Sequence, residues 1–437
     1  MKALVKLLVS VVLGFALLGA PVALANKLAP EAVLNTWYKL MLELVRHTAT
    51  YSPPVASRAF AYIGVTEFEV VASGNDKMRT LAGQLNGLKP LPARQRGKAY
   101  DDGVVVQAAM AYSVQNFFFN TGPTGQRAIA AMQKQLRAGV TEGVAADVVK
   151  RSEAYGKLVA AQIIAWSKTD GGAVVENMGF PMAYDLTKGP AHWVPTSALI
   201  QQQKPLLPKW GKNRTFAMKD GAACPLPPPP EYSEDKSSAF YKQAQEVFDT
   251  KKNLTPEQRA IAKFWSDDPM LSSTPPGHWF AIALGIFERD RVPLEKSVDV
   301  MARLGVAEAD AFIGCWNVKY QYDLVRPISY IRKMMDPKWE SVINTPPFPE
   351  YPSGHSTASA AAALVLTQAF GDHYAFEDNA HSDDGLPPRS YASFGAAANE
   401  AGLSRLYGGI HFRAAIERGQ DQGRCIGAYA AALKTRR

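Results

Sequence analysis

The stretch Pro346–Phe370, PPFPEYPSGHSTASAAAALVLTQAF, changes character in mid-course. Its four prolines before Ser353 exclude a helix, whereas the alanine-rich and uncharged run after His355 is a strong helix former of core-helix length. The junction falls on Ser353-Gly354-His355. Ser353 stands where an N-cap belongs, with Gly354 and His355 in the first turn. A helix N-terminus offers free N–H groups and a partial positive charge, which suits an anion, and glycine lets the backbone come close to it. Taken alone, the motif is equally an ordinary cap with a solvent-facing histidine. Its neighbours in sequence decide between these readings.

Two further clusters flank it. In KYQYDLVRP, the run Ala307–Val325 reads as a helix that stops at Arg326-Pro327. Trp316, Lys319, Asp323 and Arg326 then fall at i, i+3, i+7 and i+10 and share a stripe. Such charged stripes are ordinarily solvated. In SRLYGGIH, Arg405 is a planar, permanently charged fork suited to a pair of oxygens. His411 follows six residues later, past Gly408 and Gly409, and a histidine between Ile410 and Phe412 is more often a hydrogen-bonded core residue. Together the clusters supply three cations, a hydroxyl, a glycine amide and two imidazoles, a set that can hold a tetrahedral oxyanion and react at its centre.

The arrangement K-x6-R-P, P-S-G-H, S-R-x5-H resembles the active-site pattern of the superfamily that joins vanadium-dependent haloperoxidases, bacterial class A acid phosphatases and type 2 phosphatidic acid phosphatases. Every motif position matches. PPFPEYPSGH is similar to the corresponding stretch of vanadium chloroperoxidases, including the aromatic Phe348, and Trp316 one turn before Lys319 resembles their arrangement too. FWSDDPMLSSTPP, Phe264–Pro276, resembles the segment whose aspartate supports the acid–base histidine, with Asp267 and Asp268 both candidates.

The resemblance implies vanadate, one per chain, held by Lys319, Arg326, Ser353, Gly354, Arg405 and His411. His411 would be the axial metal ligand and His355 the general acid–base, a role its near-neutral ordinary pKa suits. Trp316 and Phe348 would line the halide pocket. The implied activity is oxidation of halide by hydrogen peroxide, with a small organic acceptor compatible. Phosphate fits the same pocket, so an acid phosphatase working through a phosphohistidine at His411 is the alternative. A third reading, a periplasmic oxyanion binder without catalysis, is disfavoured by the intact His355 and His411. Phe348, Trp316 and the chloroperoxidase-like flanks favour the haloperoxidase.

At the other end, Lys2 and Lys6 precede the apolar run LLVSVVLGFALLGAPVALA, which closes on Ala23-Leu24-Ala25. This reads as a signal peptide over 1–25, cleaved after Ala25, and implies a periplasmic or secreted protein. No later stretch reaches the ~18 uninterrupted apolar residues of a spanning helix, so no stable membrane insertion is expected after cleavage. Removing the segment takes two of the 48 Lys+Arg and none of the 40 Asp+Glu, leaving 46 − 40 = +6. That excess attracts small anions without naming one. No basic run is interleaved with aromatics, so nucleic acid is not an expected partner. Cys224, Cys315 and Cys425 permit at most one internal disulfide. Cys315 shares the expected helix of Lys319 and is expected buried and reduced.

Helical periodicity recurs in Glu31–Arg46, Asp102–Asn120, Thr124–Ala138, Gly143–Lys168, Lys236–Lys252, Pro256–Trp265 and Gly277–Asp290, while alternating strands are scarce. Thr255-Pro-Glu-Gln is a helix start. Residues 169–233, with WVPT, PLLPKWGK and CPLPPPPEYSE, read as a Pro/Gly-rich connection between an N-terminal helical region, 26–168, and a C-terminal catalytic helical domain, 234–437. The expected fold is all-α, packed helical bundles with the oxyanion pocket in the C-terminal half. The family resemblance further implies two four-helix bundles.

Overall fold

The computed structural model describes residues 27–173, 183–197 and 203–437. The expected signal segment 1–25 and two parts of the expected connection, 174–182 and 198–202, lie outside them. Seven helices end within three residues of where periodicity places them: α1 (Pro30–Arg46), α3 (Asp102–Phe117), α4 (Gly122–Thr141), α5 (Ala146–Ser167), α6 (Ala239–Lys252), α7 (Pro256–Phe264) and α8 (Thr274–Asp290). Thr255 and Gln258 form the capping box that opens α7. Between α1 and α3 lies α2 (Pro53–Ala72), which periodicity does not reveal. Eighteen of its twenty residues are buried, Glu67 and Glu69 among them, so no solvent-facing polar stripe marks its period.

The C-terminal half adds α9 (Leu294–Tyr322), α10 (Pro327–Met334), α11 (Gly354–Phe370), α12 (Phe394–Tyr407) and α13 (Arg413–Ala431). A two-stranded antiparallel hairpin, β1 (Phe376–Asp378) and β2 (Arg389–Tyr391), joins α11 to α12. Helices α9, α11, α12 and α13 pack as one bundle; α2, α3 and α5, with α1 and α4 against α3, form the other. The fold is all-α and helical-bundle, as expected. One apolar core, from Val33 to Leu433, runs through both bundles, which meet where α2 crosses α9.

The α11–α13 crossing fixes the motif that opens α11. A Cβ added at Gly419, Gly423 or Gly427 would lie 2.8, 2.2 and 2.9 Å from the carbonyl oxygens of Ser353, Thr357 and Ala361. Only glycines let these two backbones lie this close, and the contact begins at Ser353 itself.

The expected helix Ala307–Val325 needs correcting at both ends. Helix α9 begins at Leu294 and stops at Tyr322, where Asp323 takes a left-handed conformation (φ 50°). Leu324 and Val325 then run extended beside 191–193, with Trp193 N–H donating to Asp323 O (2.8 Å) and Val325 N–H to Ala191 O (2.9 Å). Arg326 is the N-cap of α10, with Pro327 at its first position. The proline's bias against a helical residue before it acts here, but the helix has already ended three residues earlier. Asp323 and Arg326 therefore do not share the stripe of Trp316 and Lys319.

Residues 203–233 of the connection are packed in place. The Asp310 carboxylate on α9 accepts the N–H groups of Phe216, Ala217 and Met218 at 2.6, 2.8 and 2.9 Å. Cys224 and Cys425 form a disulfide that ties this segment to α13, and Cys315 is a buried free thiol.

One buried group carries a stability prediction. Glu308 of α9 is fully buried, neither carboxylate oxygen has a hydrogen-bond partner among the described residues, and burial pushes its pKa up to about 8. The folded state thus favours the protonated acid. That contribution is complete below pH ~4.5 and is lost as pH rises towards 8. Glu308→Gln is expected to leave stability nearly unchanged at pH 4.5 and to increase it at pH 8 by on the order of 4 kcal/mol, seen as a higher Tm. A thermal-melt series across that range checks it.

Candidate active site

Lys319, in the last turn of α9, is fully buried. Its ammonium donates to the carbonyl oxygens of Pro349 (2.9 Å), Glu350 (3.1 Å) and Pro352. The side chain thereby holds the proline-rich loop against α9. Burial brings its pKa down to about 7.

Arg326 is equally buried. Its Nε donates to Phe348 O (2.8 Å), and Nη1 donates to Ile410 O (2.9 Å) and faces His411 Nε2 at 3.1 Å. Its Nη2 has no hydrogen-bond partner among the described residues. On α12, Arg405 donates through Nη1 to Trp265 O, while its Nε has no hydrogen-bond partner among the described residues. Burial lowers both guanidinium pKa values only to about 10, so both stay charged near neutrality.

Ser353 caps α11 as expected, its Oγ accepting from Ser356 N–H at 3.3 Å. Gly354 and His355 follow in the first turn, Gly354 facing Trp316 and Phe312. Trp316 donates through Nε1 to Leu206 O (3.0 Å) and its ring lies 5.0 Å from that of Phe348. Phe348 also lies 4.9 Å from the Arg326 guanidinium. Of the site residues, Gly354, His355, Arg405 and His411 line a cavity of about 530 Å³, with Trp316, Phe348 and Met270 among its apolar walls.

The two histidines differ. His355 Nε2 lies 3.4 Å from Asp267 Oδ2. Burial, and then the Arg405 charge, bring its pKa down to about 4, so it is neutral at physiological pH. His411 is held well below the usual histidine range by burial and then by Arg326. Its Nδ1 faces Glu350 Oε1 at 2.9 Å. Because Arg326 can only donate, His411 Nε2 is the acceptor and Nδ1 carries the proton.

Of the paired aspartates, Asp267 turns inward, with φ 49° and 2% exposure. Asp268 is half-buried, and its Oδ2 accepts from Asn344 Nδ2 at 3.5 Å. The geometry thus separates two residues that the sequence leaves equivalent.

Glu350 is the site residue that sequence reasoning misses. It is fully buried, and its Oε1 accepts from both His411 Nδ1 and Phe412 N–H (2.8 Å). Burial pushes its pKa up to about 7, with Arg326 and Lys319 pulling the other way. The glutamate is visible within PPFPEYPSGH, but no spacing rule links it to a histidine 61 residues on.

Residues 299–437 match the model of the VCPO second helical-bundle domain. The vanadium chloroperoxidase of Curvularia inaequalis is 34% identical over 152 residues, a stretch covering 29% of this chain and 25% of that protein. The crystal structure of a bacterial vanadium-dependent iodoperoxidase superposes with TM-score 0.85 at 37% identity, over 92% of this chain and 96% of the other. A holo-type bacterial vanadium-dependent chloroperoxidase shares the fold, with TM-score 0.67 at 16% identity over 94% and 93% of the two chains.

Proposed function

Because the chain belongs to the vanadium-dependent haloperoxidase family, we propose that it oxidises halide with hydrogen peroxide at a vanadate held among Lys319, Arg326, Ser353, Gly354, Arg405 and His411. The observation that carries the reading is a set of buried groups in want of an anion. Arg326 Nη2 and Arg405 Nε are both buried without hydrogen-bond partners among the described residues. A bare polar N–H inside a protein costs about 1–3 kcal/mol, more when charged, and an oxyanion between the two arginines would satisfy both. His411 Nε2 supplies the one neutral lone pair beside Arg326. Vanadate bound there would supply an electrophilic centre at which peroxide becomes reactive towards halide.

The chain's own groups manage charge and protons around that centre. Arg326 and Arg405 neutralise oxygens. Lys319, its donors already engaged, fixes the loop and contributes charge while it is protonated, below about pH 7. The amides that open α11 add hydrogen bonds. His355, neutral in the resting pocket, takes a proton from incoming peroxide, and Asp267 steadies the imidazolium so formed. Trp316 and Phe348 wall the approach of halide.

Iodide is the most easily oxidised of the halides, and a relative sharing 37% identity is an iodoperoxidase, so iodide is the first substrate to measure. Protein purified without phosphate is assayed with peroxide and iodide, bromide or chloride, with and without orthovanadate, beside aryl phosphate hydrolysis by the vanadate-free form. Vanadate-dependent iodide oxidation is expected. Phosphate release with no halide oxidation at any pH would overturn the reading.

We also infer export through the apolar segment 1–25. The Cys224–Cys425 disulfide is in keeping with an oxidising compartment. N-terminal sequencing of the protein from cell fractions tests this: a periplasmic or secreted form starting at Asn26 is expected, and a full-length cytosolic one would refute it.

A further inference from the structure

Beside the pocket, on the far side of Asp267, lies a second polar cluster with its own geometry. Asp267 precedes α8, His278 lies in α8, and His381 stands in the β1–β2 connection. Asp267 Oδ1 is 2.9 Å from His278 Nδ1 and 3.3 Å from His381 Nε2, and the three atoms lie within 4.8 Å of one another. All three residues are buried.

We propose that Asp267, His278 and His381 bind one divalent transition-metal ion of the zinc type. Three observations carry this. First, zinc with bonds of ~2.0–2.1 Å sets its ligands ~3.3–3.4 Å apart, so the triad needs little rearrangement to accept it. Second, the outer nitrogen of each histidine is backed by a carboxylate: His278 Nε2 faces Asp378 Oδ2 at 2.8 Å and His381 Nδ1 faces Asp384 Oδ2 at 2.9 Å. That pairing orients metal-binding imidazoles and makes them better donors. Third, among the described residues the contacts of His381 Nε2 and Asp267 Oδ2 are long, at 3.3 Å to Asp267 Oδ1 and 3.4 Å to His355 Nε2, and neither makes a well-formed hydrogen bond.

The surroundings hold the rings in place. Trp265 stacks on His278 with ring centres 4.3 Å apart, and Phe264 meets His381 edge-on at 5.2 Å. Two imidazoles and one carboxylate favour zinc, cobalt or nickel over calcium or magnesium, which prefer all-oxygen sites. Uptake displaces the protons the histidines hold against Asp267, so the dication replaces their charge. The ion would clamp the hairpin to α8. It would also fix the orientation of Asp267, whose other oxygen faces His355.

The test needs no vanadate and no halide. Full-length protein made without a polyhistidine tag and stripped with chelator is titrated with Co²⁺, then with Zn²⁺. One equivalent of Co²⁺ is expected to bind with visible d–d absorption, to be displaced by Zn²⁺ and to raise Tm. His381→Ala, in the surface hairpin, is expected to abolish all three responses while far-UV circular dichroism stays unchanged. Asp384→Asn is expected to weaken Co²⁺ binding about 10-fold or more while keeping the ligands. Absence of stoichiometric uptake in the wild type, or equal uptake by wild type and His381→Ala, overturns the proposal.

Discussion

His411→Ala is expected to abolish vanadate-dependent halide oxidation and to weaken vanadate binding by more than about 100-fold. Changes to groups that merely support a metal ligand cost 10–100-fold, and His411 would be the ligand itself. Lys319, Arg326 and Arg405 can only donate hydrogen bonds, and none can replace a lone pair. His411 alone presents an unprotonated nitrogen beside the arginine that needs an anion: its Nε2 lies 3.1 Å from Arg326, and burial keeps it neutral. Equilibrium dialysis against orthovanadate, alongside the iodide assay, measures both losses.

His355→Ala makes the contrast. It removes the proton acceptor at the α11 N-terminus and leaves the arginines and His411 in place, so turnover should fall by about 100-fold or more with vanadate affinity largely kept. The reverse pattern, with His355→Ala losing vanadate and His411→Ala retaining it, would mean that the two histidines have exchanged roles.

Legibility in the sequence followed the physics of each element. Amphipathic surface helices such as α1 and α7 announce themselves through period and caps. The junction at Ser353 was legible because proline and alanine demand opposite backbones on its two sides. Helix α2 was not, since complete burial erases periodicity. The run to Arg326 misled because a proline marks where a helix must have ended, not where it did. In the pocket, the cationic and imidazole residues could be named from motif spacing. The carboxylates that orient them could not: Glu350 on His411, Asp378 on His278 and Asp384 on His381 are partners made by tertiary folding.

Glu350 therefore decides a question the motif leaves open, which is how a pocket of cations keeps a histidine able to give its lone pair. Its carboxylate accepts the Nδ1 proton of His411 and so leaves Nε2 free. Two effects of this charge oppose each other. A carboxylate ~7 Å from a bound monoanion repels it by about 2 kcal/mol at an effective dielectric constant of ~20. Polarising the imidazole is worth 10–100-fold in metal affinity, about 1.4–2.7 kcal/mol. Arg326, still charged where Glu350 ionises, acts on it with opposite charge and blunts the repulsion, so the polarisation should win. Glu350→Ala is accordingly expected to weaken vanadate binding, by less than the full ~10–100-fold because the repulsion is lost with the charge. Glu350→Gln keeps the acceptor oxygen and removes only the charge, and its defect should depend on pH. Below about 7 the wild-type residue is itself protonated, so the two proteins should bind vanadate alike at pH 5.5. Above 7 only the wild type gains a carboxylate, and Glu350→Gln should fall behind by pH 8.5. Stability runs the other way. A pKa raised to about 7 means that burial disfavours the ionised form, so wild-type stability is complete below pH ~4.5 and is lost as pH rises through 7. Glu350→Gln should thus melt progressively higher relative to wild type between pH ~4.5 and about 7, and the difference should level off above 7, where its vanadate binding falls behind. A Gln variant that binds vanadate more tightly at pH 8.5 would show that repulsion wins and that Glu350 opposes the anion.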